Sequence, residues 1–252
     1  GYSSFRSGQD KAINAVLHGR DTFVLFPTGG GKSLCYQVPA IMMDGLTLVI
    51  SPLVALMQDQ VEQLKTRNIK AAAINSSMSR SLIEQRLLNA RNGMYKLLYC
   101  SPERLQTRLF QDYAGELNLS MIAVDEAHCI SEWGHDFRPA YREIRASVEE
   151  VNPDLRWMAL TATATPKVQA DIVQSLKLNK PERVALPFKR ENLHWWVSES
   201  VQKRKLLLKS VKRGLELGSG LIYCNTRIEC DELVQPVATI VVQSAASHAG
   251  MS

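Results

Sequence analysis

The feature that most constrains the fold of this chain is a glycine-rich stretch at residues 27–33, Pro-Thr-Gly-Gly-Gly-Lys-Ser. It follows an apolar run at residues 22–26, which predicts a buried parallel strand, and it precedes residues 34–40, which can begin a helix. Glycines let backbone N–H groups approach phosphate oxygens without an intervening Cβ, and a helix N-terminus adds partial positive charge. A strand, a glycine loop and Lys-Ser at a helix start therefore predict a binding site for nucleotide phosphates.

Two side chains of this loop suit a triphosphate. Lys32 can reach the β- and γ-phosphates, and the Ser33 hydroxyl can ligate Mg²⁺. The strict pattern G-x-x-x-x-G-K-[ST] is not met, because Phe26 stands where the first glycine belongs. A chance Gly-Lys-Ser is common, so an ordinary glycine-rich turn is the alternative until a second nucleotide motif is found. The predicted contacts of the loop with a nucleotide are Thr28, Gly29, Gly30, Gly31, Lys32 and Ser33.

A second motif, Asp125-Glu126, closes the apolar strand predicted at residues 121–124. Asp125 would hold Mg²⁺, directly or through water, opposite Ser33. Glu126 would orient and deprotonate the water that attacks the γ-phosphate. The alternative is that these are two surface acids at a strand end. Because the same sequence also contains the glycine loop, this is the minor interpretation. The sequence thus predicts ATP and Mg²⁺ as cofactors, with Lys32, Asp125 and Glu126 as the catalytic residues.

Predicted strands and helices alternate along the chain. Further strands are expected at residues 46–50, 71–74, 96–100 and 157–160, with helices between them. This alternation predicts an α/β fold, a parallel sheet flanked by helices on both faces. Polar clusters follow several of these strands, and ligands of such sheets bind at the carboxyl ends of the strands.

Residues 181–191 contain two prolines and mixed charge, which is typical of a linker, and we place the linker between domains at residues 186–198. We therefore expect one domain at residues 1–185 and the start of another at 199–252. After residue 191 we predict strands at residues 195–197 and 220–224 and a helix with a basic face at 202–212. Solvation and a nucleic-acid contact are equally good explanations for that basic face.

Composition narrows the class of protein. The chain of 252 residues is 45% hydrophobic and 22% charged, which is typical of a globular domain. A net charge of +5 mildly favours a polyanionic partner. The five cysteines form no C-x-x-C pair, which favours buried thiols in a reducing compartment over zinc or disulfides. No apolar run approaches the ~20 residues of a membrane span, so we expect an intracellular protein and no membrane partner.

With these motifs in place, the chain resembles the helicase core of the RecQ family, which are superfamily 2 DNA helicases. Members of this superfamily commonly lack the first glycine of the phosphate loop, as this chain does. The most discriminating stretch is residues 129–139, which follows Asp-Glu-Ala-His and is absent from RNA helicases with that box. The resemblance covers nearly the whole chain and is carried by residues 5–9, 27–37, 51–53, 57–60, 101–104, 125–139, 160–164 and 222–227.

The resemblance implies roles near the nucleotide. Tyr2 and Arg6 would sandwich the adenine, and the Gln9 amide would read its edge, since an amide carries both a donor and an acceptor. Without the resemblance, packing and a solvated charge would be the simpler interpretation of Tyr2 and Arg6. The implied fold is a RecA-like lobe at residues 1–185 and an incomplete RecA-like lobe at 199–252.

The resemblance also implies a contact with DNA. Trp133 and Phe137 would stack on unpaired bases, and Arg138 would neutralise a phosphate, while core packing is the alternative for both aromatic rings. His128 would couple this loop to the nucleotide site. Thr161 and Thr163 would link hydrolysis to movement of the second lobe. The predicted set for nucleic-acid binding or coupling is His128, Trp133, His135, Phe137, Arg138, Thr161 and Thr163.

The implied activity is ATP-dependent unwinding of DNA in the 3′ to 5′ direction, in recombination and repair. Single-stranded DNA and duplex junctions would be the partners, and the location would be the cytoplasm or nucleoid of a bacterium or the nucleus of a eukaryote. Because the second lobe looks incomplete, we expect impaired activity from these residues. A non-catalytic module that binds nucleotide and nucleic acid is the alternative, and an RNA helicase of the same superfamily is a weaker one.

Overall fold

The computed structural model describes residues 4–149, 155–187, 192–214, 217–241 and 243–248. The chain separates into two compact units, Gly1–Arg190 and Glu191–Ser252. The first unit contains a parallel sheet flanked by helices, which confirms the predicted fold class. Among the described residues, no helix combines the length and the apolar character needed to cross a membrane.

The sheet of the first unit has seven strands in the order β3-β4-β2-β5-β6-β1-β7, and every neighbouring pair is parallel. The predicted strands agree with the observed ones to within two residues at each end. The strands are β1 Thr22–Leu25, β2 Leu46–Ile50, β3 Ala71–Ile74, β4 Leu97–Cys100, β5 Leu119–Val124, β6 Arg156–Thr161 and β7 Glu182–Ala185.

Helices cover both faces of this sheet. Side chains alternate along β1, so Phe23 packs in one hydrophobic cluster and Val24 in the other. Both faces are therefore buried, which is why the strands read as continuous apolar runs. The helices are α1 Gln9–Leu17, α2 Lys32–Met42, α3 Val54–Lys65, α4 Arg80–Arg91, α5 Pro102–Leu105, α6 Arg108–Ala114, α7 Pro139–Arg142, α8 Ile144–Val148 and α9 Pro166–Ser175, with a 3₁₀ turn at Ala127–Ile130.

The strand order sets the position of the functional loops. Strand β6 lies between β5 and β1. At their carboxyl ends, β5 leads into Asp125, β6 ends at Thr161, and β1 leads into the glycine loop. Because parallel strands end at the same edge of a sheet, the three polar segments meet at that edge.

The sequence pattern did not predict strand β7. Its two flanking prolines, Pro181 and Pro187, and its mixed charge are typical of a linker. In the structure, β7 pairs with β1 at the edge of the sheet, and only Val184 of its four residues is buried. An edge strand buries one side and tolerates neighbouring prolines, so its composition resembles that of a linker.

The second unit contains helices α10 Lys203–Gly214 and α11 Arg227–Ala238. The strands predicted at residues 195–197 and 220–224 are wrong, because the described part of this unit contains no strand. Trp195 is 89% exposed and Tyr223 is 92% exposed, so these apolar runs lack a packing surface in this unit. A strand needs a neighbour to satisfy its backbone hydrogen bonds, and composition alone does not supply one.

Helix α11 continues past Pro236. A proline has no N–H, so the carbonyl four residues earlier, that of Glu232, loses its helical donor. The Arg204 guanidinium on α10 donates to this carbonyl at 3.2 Å. This contact replaces the missing helical hydrogen bond and explains why the helix tolerates the proline.

Candidate functional site

The glycine loop connects β1 to α2, and two of its glycines have no room for a side chain. Gly31 has φ +82°, and a Cβ on it would collide with the Gln9 amide nitrogen. A Cβ on Gly30 would lie 2.8 Å from the Pro27 carbonyl oxygen. Helix α2 begins immediately afterwards, at Lys32. The loop therefore presents its backbone and a helix N-terminus at the same edge of the sheet.

Arg6 and Gln9 hold this loop from the side of α1. The Arg6 backbone N–H donates to Gln9 Oε1 at 2.8 Å, and Gln9 Nε2 donates to the Gly31 carbonyl at 3.0 Å. The Arg6 guanidinium donates to the Gly29 carbonyl at 2.5 Å. Both residues thus support the loop beside the predicted phosphate site, Gln9 as a buried side chain and Arg6 as an exposed one. Tyr2, the other predicted adenine contact, lies outside the described residues.

One cavity of about 350 Å³ is lined by both predicted nucleotide motifs. The Lys32 ammonium lies near the loop itself, where it donates to the Phe26 carbonyl at 3.4 Å. Asp125 and Glu126 line the same cavity from the end of β5. Its other lining residues are Thr28, Gly29, Gly31, Ser33, Tyr36, Ser51, Leu56, Met57, Gln60 and Tyr99.

The two carboxylates of this cavity differ electrostatically. Burial, together with the neighbouring Glu126 charge, raises the pKa of Asp125 to about 6, against the opposing effects of the Glu126 backbone N–H, Lys32 and His128. A hydrogen bond with His128 lowers the pKa of Glu126. A nearby cation would therefore stabilise the ionised form of Asp125. Glu126 is ionised at neutral pH.

The backbone at this pair is held in an uncommon conformation. Glu126 has φ +48°, which is rare for a residue with a long side chain. Its N–H donates to the Asp125 carboxylate at 3.0 Å, and the Tyr141 hydroxyl donates to the Asp125 carbonyl at 3.0 Å. Such strained positions persist where surrounding contacts stabilise them, and they cluster at functional sites.

His128 connects the acidic pair to two other predicted residues. Its Nδ1 lies 3.0 Å from the Thr161 hydroxyl oxygen and 3.3 Å from a Glu126 carboxylate oxygen. Its ring stacks on His135 with a centroid distance of 4.2 Å. The Thr161 hydroxyl also donates to the Thr163 carbonyl at 3.1 Å. The structure thus brings the acidic pair, the end of β6 and the start of the next loop into contact.

Residues 129–139, called the aromatic loop below, follow this histidine. Trp133 is 67% exposed, which excludes core packing as the reason for its presence. The Lys167 ammonium of α9 lies 3.2 Å from the centroid of its ring. Phe137 is half-buried, and the Arg142 guanidinium lies 5.1 Å from its ring centroid. Of the two predicted stacking residues, Trp133 is thus the more open to a ligand.

Arg138 forms contacts within the protein. Its guanidinium donates to the Asp136 carboxylate at 3.1 Å and to the Pro52 carbonyl at 3.1 Å. Pro52 lies between β2 and α3, so Arg138 fastens the aromatic loop to the connection between these two elements. Its contact with phosphate stays a prediction.

Sequence reasoning missed a hydrogen-bonded group at the back of the cavity. Tyr36 bonds to Ser33 through its hydroxyl, and the Tyr99 hydroxyl donates to that of Tyr36 at 3.5 Å. Gln37 Nε2 donates to the Tyr99 hydroxyl at 3.3 Å and to Gln60 Oε1 at 2.9 Å. This group joins α2 to α3, and the only sequence signal for it was that Tyr36, Gln37 and Gln60 lie in motif stretches.

Residues 6–172 match the model of a protein family described as DEAD/DEAH box helicase. An ATP-dependent DNA helicase RecQ of Bacillus subtilis is 44% identical over 253 aligned positions, which cover 100% of this chain and 43% of that protein. A protein of the same name from Haemophilus influenzae is also 44% identical, covering 100% of this chain and 40% of the relative. The ATP-dependent helicase SGS1 of Saccharomyces cerevisiae is 41% identical over 98% of this chain and 18% of its own length.

Solved structures share the fold at lower identity. The DUF1998 helicase MrfA bound to DNA superposes with a TM-score of 0.73 at 18% identity, covering 96% of this chain and 37% of that one. The Pyrococcus furiosus Hef helicase domain superposes with a TM-score of 0.57 at 20% identity, covering 93% of this chain and 52% of the other. At these identities the likeness concerns the fold alone.

Proposed function

Because this chain belongs to the DEAD/DEAH box helicase family, we propose that it is the ATP-hydrolysing part of a RecQ-type DNA helicase that moves 3′ to 5′ along one strand. Relatives named as ATP-dependent helicases are 41–44% identical over nearly the whole chain, so the resemblance inferred from the sequence is confirmed. The chain spans less than half the length of these relatives. The proposal includes unwinding in recombination and repair and an intracellular location. It also includes two lobes, at residues 1–185 and 199–252, joined by a linker at 186–198.

The observation that carries this proposal is the shared cavity of the glycine loop and the acidic pair. The backbone N–H groups of the loop would bind the β- and γ-phosphates, and the Lys32 ammonium would neutralise their charge. Glu126, which is ionised, would accept a proton from the attacking water. His128 holds the Glu126 carboxylate at 3.3 Å and would keep it aimed at that water.

The donor set of this cavity suits Mg²⁺. This ion prefers oxygen ligands, and it usually binds one or two carboxylates together with substrate phosphates and water. Within the described residues, no group of three or more His, Cys, Asp or Glu could hold a metal alone. A metal bound largely through the nucleotide agrees with both facts. We propose the Ser33 hydroxyl and the Asp125 carboxylate as its protein ligands, and when bound the ion would neutralise charge on the phosphates.

Binding of a fluorescent ATP analogue with Mg²⁺ tests the nucleotide site. Lys32→Ala should weaken binding by about tenfold or more, because a charged hydrogen bond to phosphate is lost. Lys70→Ala is a matched control, since Lys70 immediately precedes β3 at the opposite edge of the sheet. Equal affinity of the wild type and Lys32→Ala would contradict the proposal.

The rate of ATP hydrolysis with and without single-stranded DNA then separates the proposed function from its alternatives. Faster hydrolysis with DNA than with RNA supports a DNA helicase. Nucleotide and DNA binding without turnover would instead favour a non-catalytic binding module. Equal stimulation by RNA and DNA would favour an RNA helicase of the same superfamily.

A further inference from the structure

Lys167 on α9 covers part of the most exposed aromatic ring near the nucleotide edge of the sheet. Its ammonium lies 3.2 Å from the centroid of the Trp133 ring, and Trp133 nevertheless stays 67% exposed. A cation over an indole face is attracted by the ring quadrupole, but at an exposed site the attraction is weak. The lysine is therefore held near the ring and remains displaceable.

Helix α9 also fixes the backbone that carries this ring. The Ser131 hydroxyl donates to the Asp171 carboxylate at 2.5 Å, and the Trp133 backbone N–H donates to the Ser131 hydroxyl oxygen at 3.2 Å. Asp171 lies four residues after Lys167, so the two side chains share one face of α9. One face of one helix thus anchors the loop backbone and places a cation on the exposed ring.

In the part of the chain that the structure describes, the charge of Lys167 has no carboxylate partner. Two other cations, one in the aromatic loop and one just after it, have carboxylate partners: Arg138 with Asp136 at 3.1 Å and Arg142 with Glu132 at 2.9 Å. No carboxylate among the described residues forms a salt bridge with Lys167. Its ammonium therefore keeps its full charge available for an external anion.

We propose that Lys167 and Trp133 form a single contact for one nucleotide of a nucleic-acid strand, in which the base stacks on the indole and the ammonium neutralises the phosphate. Stacking of a base on an aromatic ring outweighs an exposed cation–π contact, so the base displaces the ammonium from the ring face. The displaced ammonium stays within reach of the strand because Asp171 and Ser131 hold the loop against α9. This inference rests on the proposed function, in that it assigns Lys167 as a phosphate contact of the same DNA-binding surface.

The salt dependence of DNA binding tests this assignment. Neutralising one phosphate of a single strand contributes about 0.7 to the slope of log affinity against log salt concentration. We therefore expect Lys167→Met to reduce that slope by about 0.7 for a fluorescent oligothymidine, measured by anisotropy across a salt series. Lys167→Arg should keep the wild-type slope, because it keeps the charge.

Two further variants separate this contact from a general effect of charge. Lys70→Met removes the same charge at the opposite edge of the sheet and should leave the slope unchanged. Trp133→Leu should weaken binding at every salt concentration without a comparable loss of slope, because stacking releases no counterion.

The outcomes distinguish this inference from the proposed function. An unchanged slope in Lys167→Met, or an equal reduction in Lys70→Met, would overturn the assignment of Lys167 while DNA binding by the wild type stood. Failure of the wild-type chain to bind the oligonucleotide at any salt concentration would overturn the DNA-binding surface itself.

Discussion

The imidazole Nδ1 of His128 lies 3.0 Å from the hydroxyl oxygen of Thr161. The Thr161 hydroxyl proton is used by the Thr163 carbonyl, 3.1 Å away. The Thr161 oxygen therefore accepts from His128, which assigns the proton to Nδ1 and lets the same N–H face the Glu126 carboxylate. His128 thereby connects the proposed catalytic base, which follows β5, to the end of β6.

Replacement of this histidine should uncouple hydrolysis from DNA. In His128→Ala, Glu126 and Thr161 lose their shared partner, and a small displacement of a catalytic group can cost about 10²-fold in rate. We expect DNA-stimulated ATP hydrolysis to fall by about that factor while Mg-ATP affinity stays within about threefold of the wild type. The exposed His18→Ala is the control. Wild-type stimulation by DNA in His128→Ala would contradict the role of the contact.

Removal of the proposed base should stop hydrolysis and spare binding. Glu126→Gln keeps the size of the side chain but does not accept a proton from water. General base catalysis contributes about 10²–10⁴-fold, so the rate should fall by that range while the affinity for the ATP analogue is retained. Glu62→Gln, on the exposed face of α3, should leave both quantities unchanged. Hydrolysis by Glu126→Gln at the wild-type rate would exclude this residue as the base.

The free energy of unfolding should depend on pH through Asp125. Its pKa rises from 3.8 to about 6 on folding, so the folded state holds the proton more tightly than the unfolded state. The free energy of unfolding therefore decreases as the pH rises from 3.8 and becomes constant above about 6. Asp125→Asn removes the charge and should stabilise the protein without nucleotide or metal, by about 2 kcal/mol at pH 8 and by less at pH 5.

Thermal unfolding in EDTA measures this difference, and the hydrolysis assay provides the second readout. The same variant should lose Mg-ATP hydrolysis, because an amide is a poor ligand for Mg²⁺. Two results would contradict an unfavourable buried charge on Asp125 in the nucleotide-free state. The variant could be less stable than the wild type at pH 8, or its gain in stability could be the same at pH 5 as at pH 8.

The glycine loop should tolerate no side chain at position 31. Gly31→Ala strains a backbone with φ +82° and places a Cβ against the Gln9 amide. Gly93→Ala is a matched control, since Gly93 has φ +70° and nothing lies within 4 Å of its added Cβ. Both variants should lose about 1–2 kcal/mol from backbone strain. Only Gly31→Ala should also lose nucleotide binding, as measured with the fluorescent analogue, and equal binding by the two variants would refute the close fit of the loop.

The sequence predicted the first unit well because its signals are local. Buried parallel strands are continuous apolar runs, and helices show a period near 3.6, so both patterns are visible within a few residues. The same logic failed where burial is partial or a partner is needed. Strand β7 resembles a linker because only Val184 is buried, and residues 220–224 form no strand because the described part of the second unit supplies no neighbour.

The α/β class, the glycine loop and the acidic pair follow from the sequence, since each depends on residues adjacent in the chain. Which partners these residues contact depends on the folded arrangement of distant segments. Ser131 bonds to Asp171 and His128 to Thr161 across 40 and 33 positions, and Trp133 lies under Lys167. Such contacts depend on the order of strands in the sheet and on the packing of α9, which are set by the cooperative burial of the whole core and leave no periodic signal in the chain.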